Sequence, residues 1–168
     1  MIVLSLARNA DAVAIARMSR DLVEHGLDWA WTPPRVAASV RGRDALVVVA
    51  RDDHDRADRI AGFAIMRFGD DDAHLDLLGV RPDCRRRGLG RALVAWAEAP
   101  AVLAGITDVF LEVRESNRDG RAFYERLGYR TLGRVGGYYQ GREAAVRMGR
   151  ELGAPYDDFR HFVVDTCG

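Results

Sequence analysis

Three consecutive arginines and two closely spaced glycines stand together in the segment Val80-Arg81-Pro82-Asp83-Cys84-Arg85-Arg86-Arg87-Gly88-Leu89-Gly90-Arg91-Ala92-Leu93. An apolar, strand-like run, Ala73 to Val80, leads into this segment, and a helix-like run leaves it. Because glycine has no Cβ, the backbone at Gly88 and Gly90 can come close to a bound group. Backbone N–H groups in such a turn, together with the positive end of a helix, bind phosphates and other anions. The segment therefore predicts an anion-binding turn between a strand and a helix.

The bulk composition predicts one soluble globular domain spanning 1–168. The chain has 168 residues, of which 48% are hydrophobic and 30% are charged, as in ordinary soluble proteins. No apolar run approaches the ~20 residues of a membrane span. Asn9 and Asp11 also interrupt any signal-peptide pattern, so no membrane association is expected.

Charge and cysteine content narrow the function classes further. The 25 basic and 25 acidic side chains balance, which argues against a nucleic-acid-binding protein. Two cysteines, Cys84 and Cys167, are too few for a disulfide scaffold or a metal site. We therefore expect a cytoplasmic protein without a metal.

Hydrophobic periodicity and turn residues predict seven strands and four helices. The strands are expected at Ile2 to Leu6, Ala45 to Ala50, Ile60 to Phe68, Ala73 to Val80, Thr107 to Val113, Tyr129 to Val135 and Glu143 to Met148. The helices are expected from Asn9–Asp11 to about His25, from Pro33 to about Arg41, from Leu89 to about Ala104, and from a Ser116 or Asn117 cap through Leu127. Pro100 predicts a kink or an early stop near Ala99. The resulting order, β-α-α-β-β-β-α-β-α-β-β, predicts an α/β mixed sheet with helices on both faces. The tail, 153–168, is left unassigned.

Three motifs together resemble those of the GNAT superfamily of acyl-CoA-dependent N-acetyltransferases. Arg85-Arg86-Arg87-Gly88-Leu89-Gly90 matches the family's pyrophosphate-loop pattern, Arg/Gln-x-x-Gly-x-Gly/Ala. Leu111-Glu112-Val113-Arg114-Glu115-Ser116-Asn117 and Phe123-Tyr124-Glu125-Arg126-Leu127-Gly128-Tyr129 match its second half. With Tyr138-Tyr139 and the closing Glu143 to Met148, they look most like the branch that acetylates protein N-termini, typified by ribosomal-protein alanine acetyltransferases.

The resemblance is dense from about Asp76 to Arg150 and weak before it, where acceptor specificity is usually built. It implies a central mixed, mostly antiparallel sheet of about seven strands, flanked by about four helices on both faces. It also implies acetyl-CoA as co-substrate, without a metal. A Rossmann site is disfavoured because the third glycine of that motif would fall at Leu93.

The resemblance assigns most of the acetyl-CoA site to the middle of the chain. Leu78, Gly79 and Val80 are expected to hydrogen-bond the pantetheine as an added strand. The residues expected to hold the pyrophosphate are Arg85, Arg86, Arg87, Gly88, Leu89, Gly90 and Arg91. Asn117 is expected to steady the pantetheine or a water, and Tyr124 to contact the cofactor and act as general acid on the departing sulfur.

The general base has three candidates. The resemblance favours Glu112, at the position that the alanine-acetylating branch uses. Asp76 and then His74 follow, since they lie two residues apart and so on one face of the fourth strand. The same alternation predicts that Leu78 and Val80 share that face.

The acceptor is expected to be a primary amine, with a protein or peptide N-terminus favoured. At pH 7.4 about 20–30% of an α-amine is already neutral, whereas deprotonating a lysine side chain costs about 4 kcal/mol. A small-molecule amine, a lysine side chain, or a degenerate acyl-CoA-binding module without activity are the alternatives. Both monomer and homodimer are compatible with the sequence. The residues expected to line the acceptor site are Trp29, Trp31, His74, Tyr138 and Tyr139, although the two tryptophans can equally fill the core.

Overall fold

The computed structural model of the protein describes residues 1–52 and 59–153. Its strands are β1 (Ile2–Leu6), β2 (Ala45–Asp52), β3 (Ile60–Phe68), β4 (Asp72–Val80), β5 (Asp108–Arg114), β6 (Arg130–Tyr139) and β7 (Glu143–Glu151). Its helices are α1 (Ala12–Leu22), α2 (Pro33–Arg41), α3 (Leu89–Leu103) and α4 (Arg118–Arg126), with single 3₁₀ turns at Asn9–Asp11 and Pro82–Cys84. Most of the predicted loop between the second and third strands, and nearly all of the tail, lie outside the described residues.

All seven strands form one sheet in the order β1-β2-β3-β4-β5-β7-β6. Every neighbouring pair is antiparallel except β4 and β5, which run parallel. The predicted mixed, mostly antiparallel sheet with four helices is confirmed. No helix in the described ranges is both long and apolar enough to cross a membrane.

Two hydrophobic cores cover the two faces of the sheet. Successive residues of β2 point to opposite cores. Val48 packs in the core that contains α3, and Val49 packs in the core that contains α1 and α2. The first face is called the α3 face below, and the second the α1–α2 face. Helix α4 also packs against the α3 face, through Phe123, Tyr124 and Leu127.

Two helix boundaries differ from prediction. Helix α1 ends at Leu22 rather than near His25. Helix α3 does not stop near Ala99 but continues through Pro100 to Leu103. Proline removes one helical hydrogen bond, yet Ala97 and Ala101 on either side of it are fully buried, so tertiary packing maintains the helix.

The two parallel strands pair over a very short distance. Only Asp72, Ala73 and His74 of β4 pair with β5, and His74 lies opposite Phe110. Beyond that point β4 pairs with β3 alone and β5 with β7 alone. The space that opens between residues 75–80 of β4 and residues 111–114 of β5 is called the β4–β5 gap.

A β-bulge in β4 lies at the beginning of this gap. Ile65 of β3 pairs with Leu77 and Met66 with Leu75, so Asp76 is an extra residue in β4. A bulge of this kind reverses the face that subsequent residues occupy. Leu75 and Leu78 accordingly both belong to the α3-face core, whereas Leu77 belongs to the α1–α2-face core.

The bulge corrects one prediction about the site. Simple alternation placed Leu78 and Val80 on the same face as His74 and Asp76. In the structure Leu78 and Val80 pack on the α3-face core, while Asp76 pairs with Arg67 and with His74 away from that core. The sequence pattern alone carries no sign of an inserted residue, so the alternation was extended too far.

Gly79 provides a test of how tightly β4 packs on β3. A Cβ at Gly79 would lie 2.5 Å from Cε1 of Phe63, a fully buried ring. We expect Gly79→Ala to lower the free energy of unfolding by about 2 kcal/mol, the cost of overpacking a core, as measured by urea denaturation. Gly133→Ala is the matched control, because its Cβ would meet no atom within 4 Å. Equal effects of the two substitutions would contradict this packing.

Candidate active site

The free edge of β4 presents backbone hydrogen-bonding groups to the β4–β5 gap. The N–H of Arg81 donates to the carbonyl of Ala61 on β3 at 2.9 Å. Because backbone groups alternate in direction along an antiparallel strand, the N–H groups of Leu78 and Val80 face the gap. The backbone groups of Gly79 face β3 instead, so of the three predicted pantetheine contacts only two are directed into the gap.

The anion-binding turn is built on an uncapped helix end. Gly88 precedes α3 with a φ of +77°, and no side chain caps the helix. Arg86 also has a positive φ, +62°. The first N–H groups of α3 have no partner within the helix, and these belong to Leu89, Gly90 and Arg91. The turn therefore combines free N–H groups with the positive end of the helix dipole.

The arginines of the turn have different surroundings. Arg85 is occupied, since its Nε donates to the carbonyl oxygen of Val80 at 2.9 Å. Arg86, Arg87 and Arg91 are exposed, and none of them pairs with an acidic side chain in the part of the chain that the structure describes. These three guanidinium groups are available to an anion at the helix end.

The two glycines of the turn serve different purposes. At Gly88 a Cβ would meet nothing within 4 Å, and the positive φ explains the residue. At Gly90 a Cβ would lie 3.1 Å from the ring of Phe123. The close packing of α4 is therefore a second reason for a glycine at position 90, beside the predicted approach of a phosphate.

Helix α4 is fixed at both ends by local signals. The side-chain oxygen of Asn117 accepts from the N–H of Gly120 at 2.9 Å, so Asn117 is the N-cap. Gly128 follows the helix with a φ of +92°, the left-handed conformation that commonly ends helices. Capping engages the side-chain oxygen Oδ1 of Asn117 and leaves the side-chain nitrogen Nδ2 as a donor for the predicted contact with pantetheine.

Tyr124 lies on α4 among aromatic rings. Its ring makes edge contacts with Phe123 and Tyr129, at centroid distances of 5.1 and 5.6 Å. Its hydroxyl makes no hydrogen bond to any other described residue. Burial raises the pKa of the Tyr124 phenol above its ordinary value. The hydroxyl therefore stays protonated at neutral pH and is free to donate a hydrogen bond.

The three predicted candidates for the base form one hydrogen-bonded cluster. His74 Nδ1 lies 2.6 Å from Asp76 Oδ1, and His74 Nε2 lies 2.5 Å from Glu112 Oε2. The carboxylates are nearly buried, with side chains 8% and 6% exposed, while the imidazole is 26% exposed. The cluster spans the β4–β5 gap at its closed end, because His74 belongs to the last pair that joins the two strands.

Arginines from the flanking strands hold the two carboxylates. Arg67 binds both oxygens of Asp76, at 2.7 and 2.8 Å. Arg147 Nε donates to Glu112 Oε1 at 2.9 Å. Every carboxylate oxygen of the cluster therefore has a partner.

These contacts shift the pKa values of all three residues. Burial alone lowers the pKa of His74, but its hydrogen bonds to Asp76 and Glu112 outweigh burial and raise the pKa to about 9. Burial opposes ionisation of the carboxyls, yet hydrogen bonds from the arginines and His74 lower the pKa of both Asp76 and Glu112. At neutral pH the cluster therefore holds two carboxylates and an imidazolium.

The predicted strand bounds place Tyr138 and Tyr139 in the connection between the last two strands. In the structure both residues lie at the end of β6 instead. Their rings meet edge to face at 4.9 Å. Burial raises the pKa of Tyr139, with smaller contributions from Tyr138, Glu112 and Tyr124. Tyr139 is therefore within electrostatic range of both Glu112 and Tyr124.

The connection between α1 and α2 is organised by a buried carboxylate that the sequence pattern did not single out. Glu24 accepts from the Ser19 hydroxyl at 2.9 Å, and its other oxygen accepts from the N–H groups of Ala30 and Trp31. Trp29 Nε1 donates to the carbonyl of Ala16 at 3.1 Å. Both tryptophans pack against the α1–α2-face core, as the core-filling interpretation predicted.

The same connection is joined to the β6–β7 turn. Gln140 makes two hydrogen bonds with the backbone of Asp28, at 2.9 and 3.0 Å. Arg142 contacts the Gly26 carbonyl and the Asp28 carboxylate, each at 3.3 Å. Arg114 donates to the His25 carbonyl at 2.8 Å. These contacts join residues about a hundred positions apart, which local patterns cannot reveal.

A second buried hydrogen-bond network contacts the C-terminal end of α4. The Tyr129 hydroxyl donates to Glu98 Oε1 at 2.5 Å. Arg150 also pairs with Glu98, and its Nη1 donates to the Leu127 carbonyl at 2.8 Å. Glu98 lies on α3, so the network ties α3, the end of α4 and β7 together. Within the described ranges, no three His, Cys, Asp or Glu side chains are arranged to hold a metal ion.

Comparison with known families identifies the region that contains these features. The family model described as "Acetyltransferase (GNAT) family" matches residues 15–129. That range includes the anion-binding turn, the β4–β5 gap, Glu112 and Tyr124.

Individual relatives match about half of the chain. The chain is 40% identical over 94 residues to the [ribosomal protein bS18]-alanine N-acetyltransferase of Salmonella typhimurium, across 54% of the chain and 64% of that enzyme. The chain thus spans slightly less than two thirds of that relative's length. An uncharacterized N-acetyltransferase of Methanocaldococcus jannaschii is 34% identical over 91 residues, across 54% of the chain and 58% of that protein.

Solved structures match over nearly the whole chain. The ribosomal-protein-S18-alanine N-acetyltransferase from Escherichia coli superposes with a TM-score of 0.76 and 27% identity, covering 96% of this chain and all of that one. NAA60 of Arabidopsis thaliana, crystallised with a bisubstrate analogue, gives a TM-score of 0.80 at 18% identity, covering 91% of this chain and all of that one. The second likeness concerns the fold alone.

The charge of His74 predicts how the stability of the fold depends on pH. Because the folded-state pKa of His74 is raised to about 9, its ion pairs stabilise the fold fully below the unfolded pKa of about 6.5. This contribution declines as pH rises and is lost above about pH 9. The melting temperature of His74→Gln should therefore fall well below that of the unsubstituted protein at pH 6 and approach it at pH 9.5. A difference independent of pH would contradict the charged state of His74.

Proposed function

The chain belongs to the GNAT acetyltransferase family, and on that premise we propose that it transfers an acetyl group from acetyl-CoA to a primary amine. One observation carries the proposal. The β4–β5 gap has free N–H groups along one edge, an anion-binding helix end beyond it, and the His74 cluster where it closes. A thioester with a long, hydrogen-bonding arm and a pyrophosphate fits this order of groups.

Acetyl-CoA is proposed to lie in the gap as an added strand. The N–H groups of Leu78 and Val80 would hydrogen-bond the pantetheine amides, as a strand edge binds an extended peptide. The pyrophosphate would bind at the start of α3, where free N–H groups, the helix dipole and Arg86 and Arg87 favour negative charge.

Transfer then requires an attack, a proton acceptor and a proton donor. The neutral amine attacks the thioester carbonyl from the α1–α2 face, where Glu112 lies. Tyr124 approaches from the α3 face and donates its proton to the departing thiolate. A partly buried phenol of raised pKa is a weak acid, but a CoA thiolate whose conjugate thiol has a pKa of about 8.5 or above is basic enough to accept its proton.

A protein or peptide N-terminus is the acceptor class that we favour. The solution pKa of an α-amine, about 7.7 to 8.0, leaves a useful neutral fraction without a strong base. The cluster of His74, Asp76 and Glu112 carries two arginines and an imidazolium beside its two carboxylates, so it offers little attraction to a lysine ammonium. The similarity to an enzyme that acetylates a ribosomal-protein alanine is consistent with this class.

We also propose a reducing cytoplasm as the protein's location. Cys84, next to the proposed pyrophosphate turn, forms no disulfide with any described residue, and reduced cysteines are typical of the cytoplasm.

Release of free CoA thiol in the presence of a panel of amines tests the proposed function. The panel should contain peptides with different first residues, the same peptides with blocked N-termini, and small amines. Faster thiol release with free than with blocked peptides is expected. Binding of CoA without transfer to any amine would instead indicate an acyl-CoA-binding module.

Tyr124→Phe should lower kcat ten-fold or more with little change in the Kd for acetyl-CoA. The substitution keeps the ring contacts with Phe123 and Tyr129 but removes the proton donor, and general acid catalysis typically contributes 10²–10⁴-fold, of which solvent recovers a part. Steady-state kinetics and calorimetric titration measure the two quantities. An unchanged kcat would remove Tyr124 from the reaction.

Arg87→Gln should weaken CoA binding about ten-fold, the effect of losing one charge-assisted hydrogen bond of about 1.4 kcal/mol. The loss should be the same for 3′-dephospho-CoA, which keeps the pyrophosphate. Arg130→Gln is the matched control, since Arg130 is exposed on the edge strand β6. A loss seen only with the 3′-phosphate present would place Arg87 at that phosphate instead.

A further inference from the structure

We propose that His74 is the proton-transfer partner of Glu112, so that Asp76, His74 and Glu112 act as one relay that carries the acceptor amine's proton to solvent. The inference rests on the proposed acetyl transfer and adds to it a residue that positions Glu112 and accepts a proton from it. In this relay the proton moves from the buried Glu112 to the more exposed imidazole of His74.

Glu112 alone is poorly suited to hold a proton. Its Oε2 faces His74 at 2.5 Å and its Oε1 accepts from Arg147 at 2.9 Å. Both contacts favour the ionised carboxylate, so a proton taken from an amine has little tendency to remain there. A second acceptor within hydrogen-bonding distance of Glu112 removes this difficulty.

His74 has the geometry of that second acceptor. Its Nδ1 lies 2.6 Å from Asp76, which Arg67 holds through both carboxylate oxygens. A carboxylate at Nδ1 keeps that nitrogen protonated and leaves Nε2 to exchange a proton with Glu112. The imidazole is also the most exposed member of the cluster, so water can take the proton from it.

The amine nitrogen bonds to the acetyl carbon and gives its proton to the ionised Glu112 carboxylate. Glu112 then passes that proton to the neutral Nε2 of His74, so that Glu112 is again a carboxylate and His74 becomes an imidazolium. The carbon–sulfur bond breaks, and the thiolate takes the Tyr124 proton. The imidazolium then loses its proton to water, and the phenolate regains one from water.

The relay requires neutral His74 at the start, which makes the rate depend on pH. The strands from β3 to β7 contribute the ionisable side chains that surround the imidazole and its carboxylate partners, namely Arg67, Asp76, Glu112, Tyr138, Tyr139 and Arg147. With the pKa of His74 near 9, only about 1% of the cluster is in the accepting form at pH 7.

The test is the pH dependence of kcat for the full chain and for His74→Gln, between pH 6.5 and 9.5. Two acceptor peptides whose α-amine pKa values differ by about one unit should be compared. If the relay titrates, the apparent pKa of kcat is the same with both peptides. If the amine titrates, the apparent pKa of kcat differs between the two peptides. We expect kcat of the unsubstituted protein to rise toward pH 9 with both peptides, and the ratio of its kcat to that of His74→Gln to grow at least ten-fold from pH 7 to pH 9.

A purely structural role for His74 would give a ratio that stays constant or falls as pH rises, because its ion pairs stabilise the fold most at low pH. That result would overturn the relay while leaving acetyl transfer intact. Absence of transfer by the unsubstituted protein would overturn both. NMR titration of the histidine ring carbons provides a readout that needs no activity. The signal lost in His74→Gln should titrate well above an ordinary histidine, and Glu112→Gln should lower its pKa. An ordinary, unchanged pKa would also overturn the relay.

Discussion

The separation of β4 from β5 is the constraint on which the other features of the site depend. The two strands pair through only three residues, after which each keeps a partner on one side alone. Backbone groups in the interior of a sheet are normally paired. A ligand that supplies hydrogen bonds along the free edge of β4 would therefore complete the sheet.

The bulge at Asp76 determines how the free edge of β4 is oriented relative to the proposed reacting side chains. Because Asp76 is inserted in β4, Leu78 and Val80 return to the α3 face while His74 and Asp76 remain on the α1–α2 face. The start of α3 at Gly88 and the side chain of Tyr124 lie toward the α3 face. The charged cluster lies toward the α1–α2 face. A thioester held in the β4–β5 gap would thus meet the amine from one side and its proton donor from the other.

Local signals made much of the fold predictable. Gly88 before α3, the Asn117 cap and Gly128 after α4 each have a conformational reason that acts within a few residues. The features that could not be predicted depend on distant contacts. Pro100 remains in a helix because Ala97 and Ala101 are buried, and Gly90 is explained by a ring 33 positions later. The contact between His74 and Glu112 joins two strands, so the sequence offered these residues as competing bases rather than as partners.

Residue-resolved amide exchange of β4 with and without CoA tests the central claim most directly. If the pantetheine arm binds as a strand in the β4–β5 gap, the amides of Leu78 and Val80 become strongly protected on saturation with CoA. The Gly79 amide, which already faces β3, should change little. Saturating binding of CoA with no added protection at Leu78 and Val80 would contradict the claim that the gap between the parallel strands is the acetyl-CoA site.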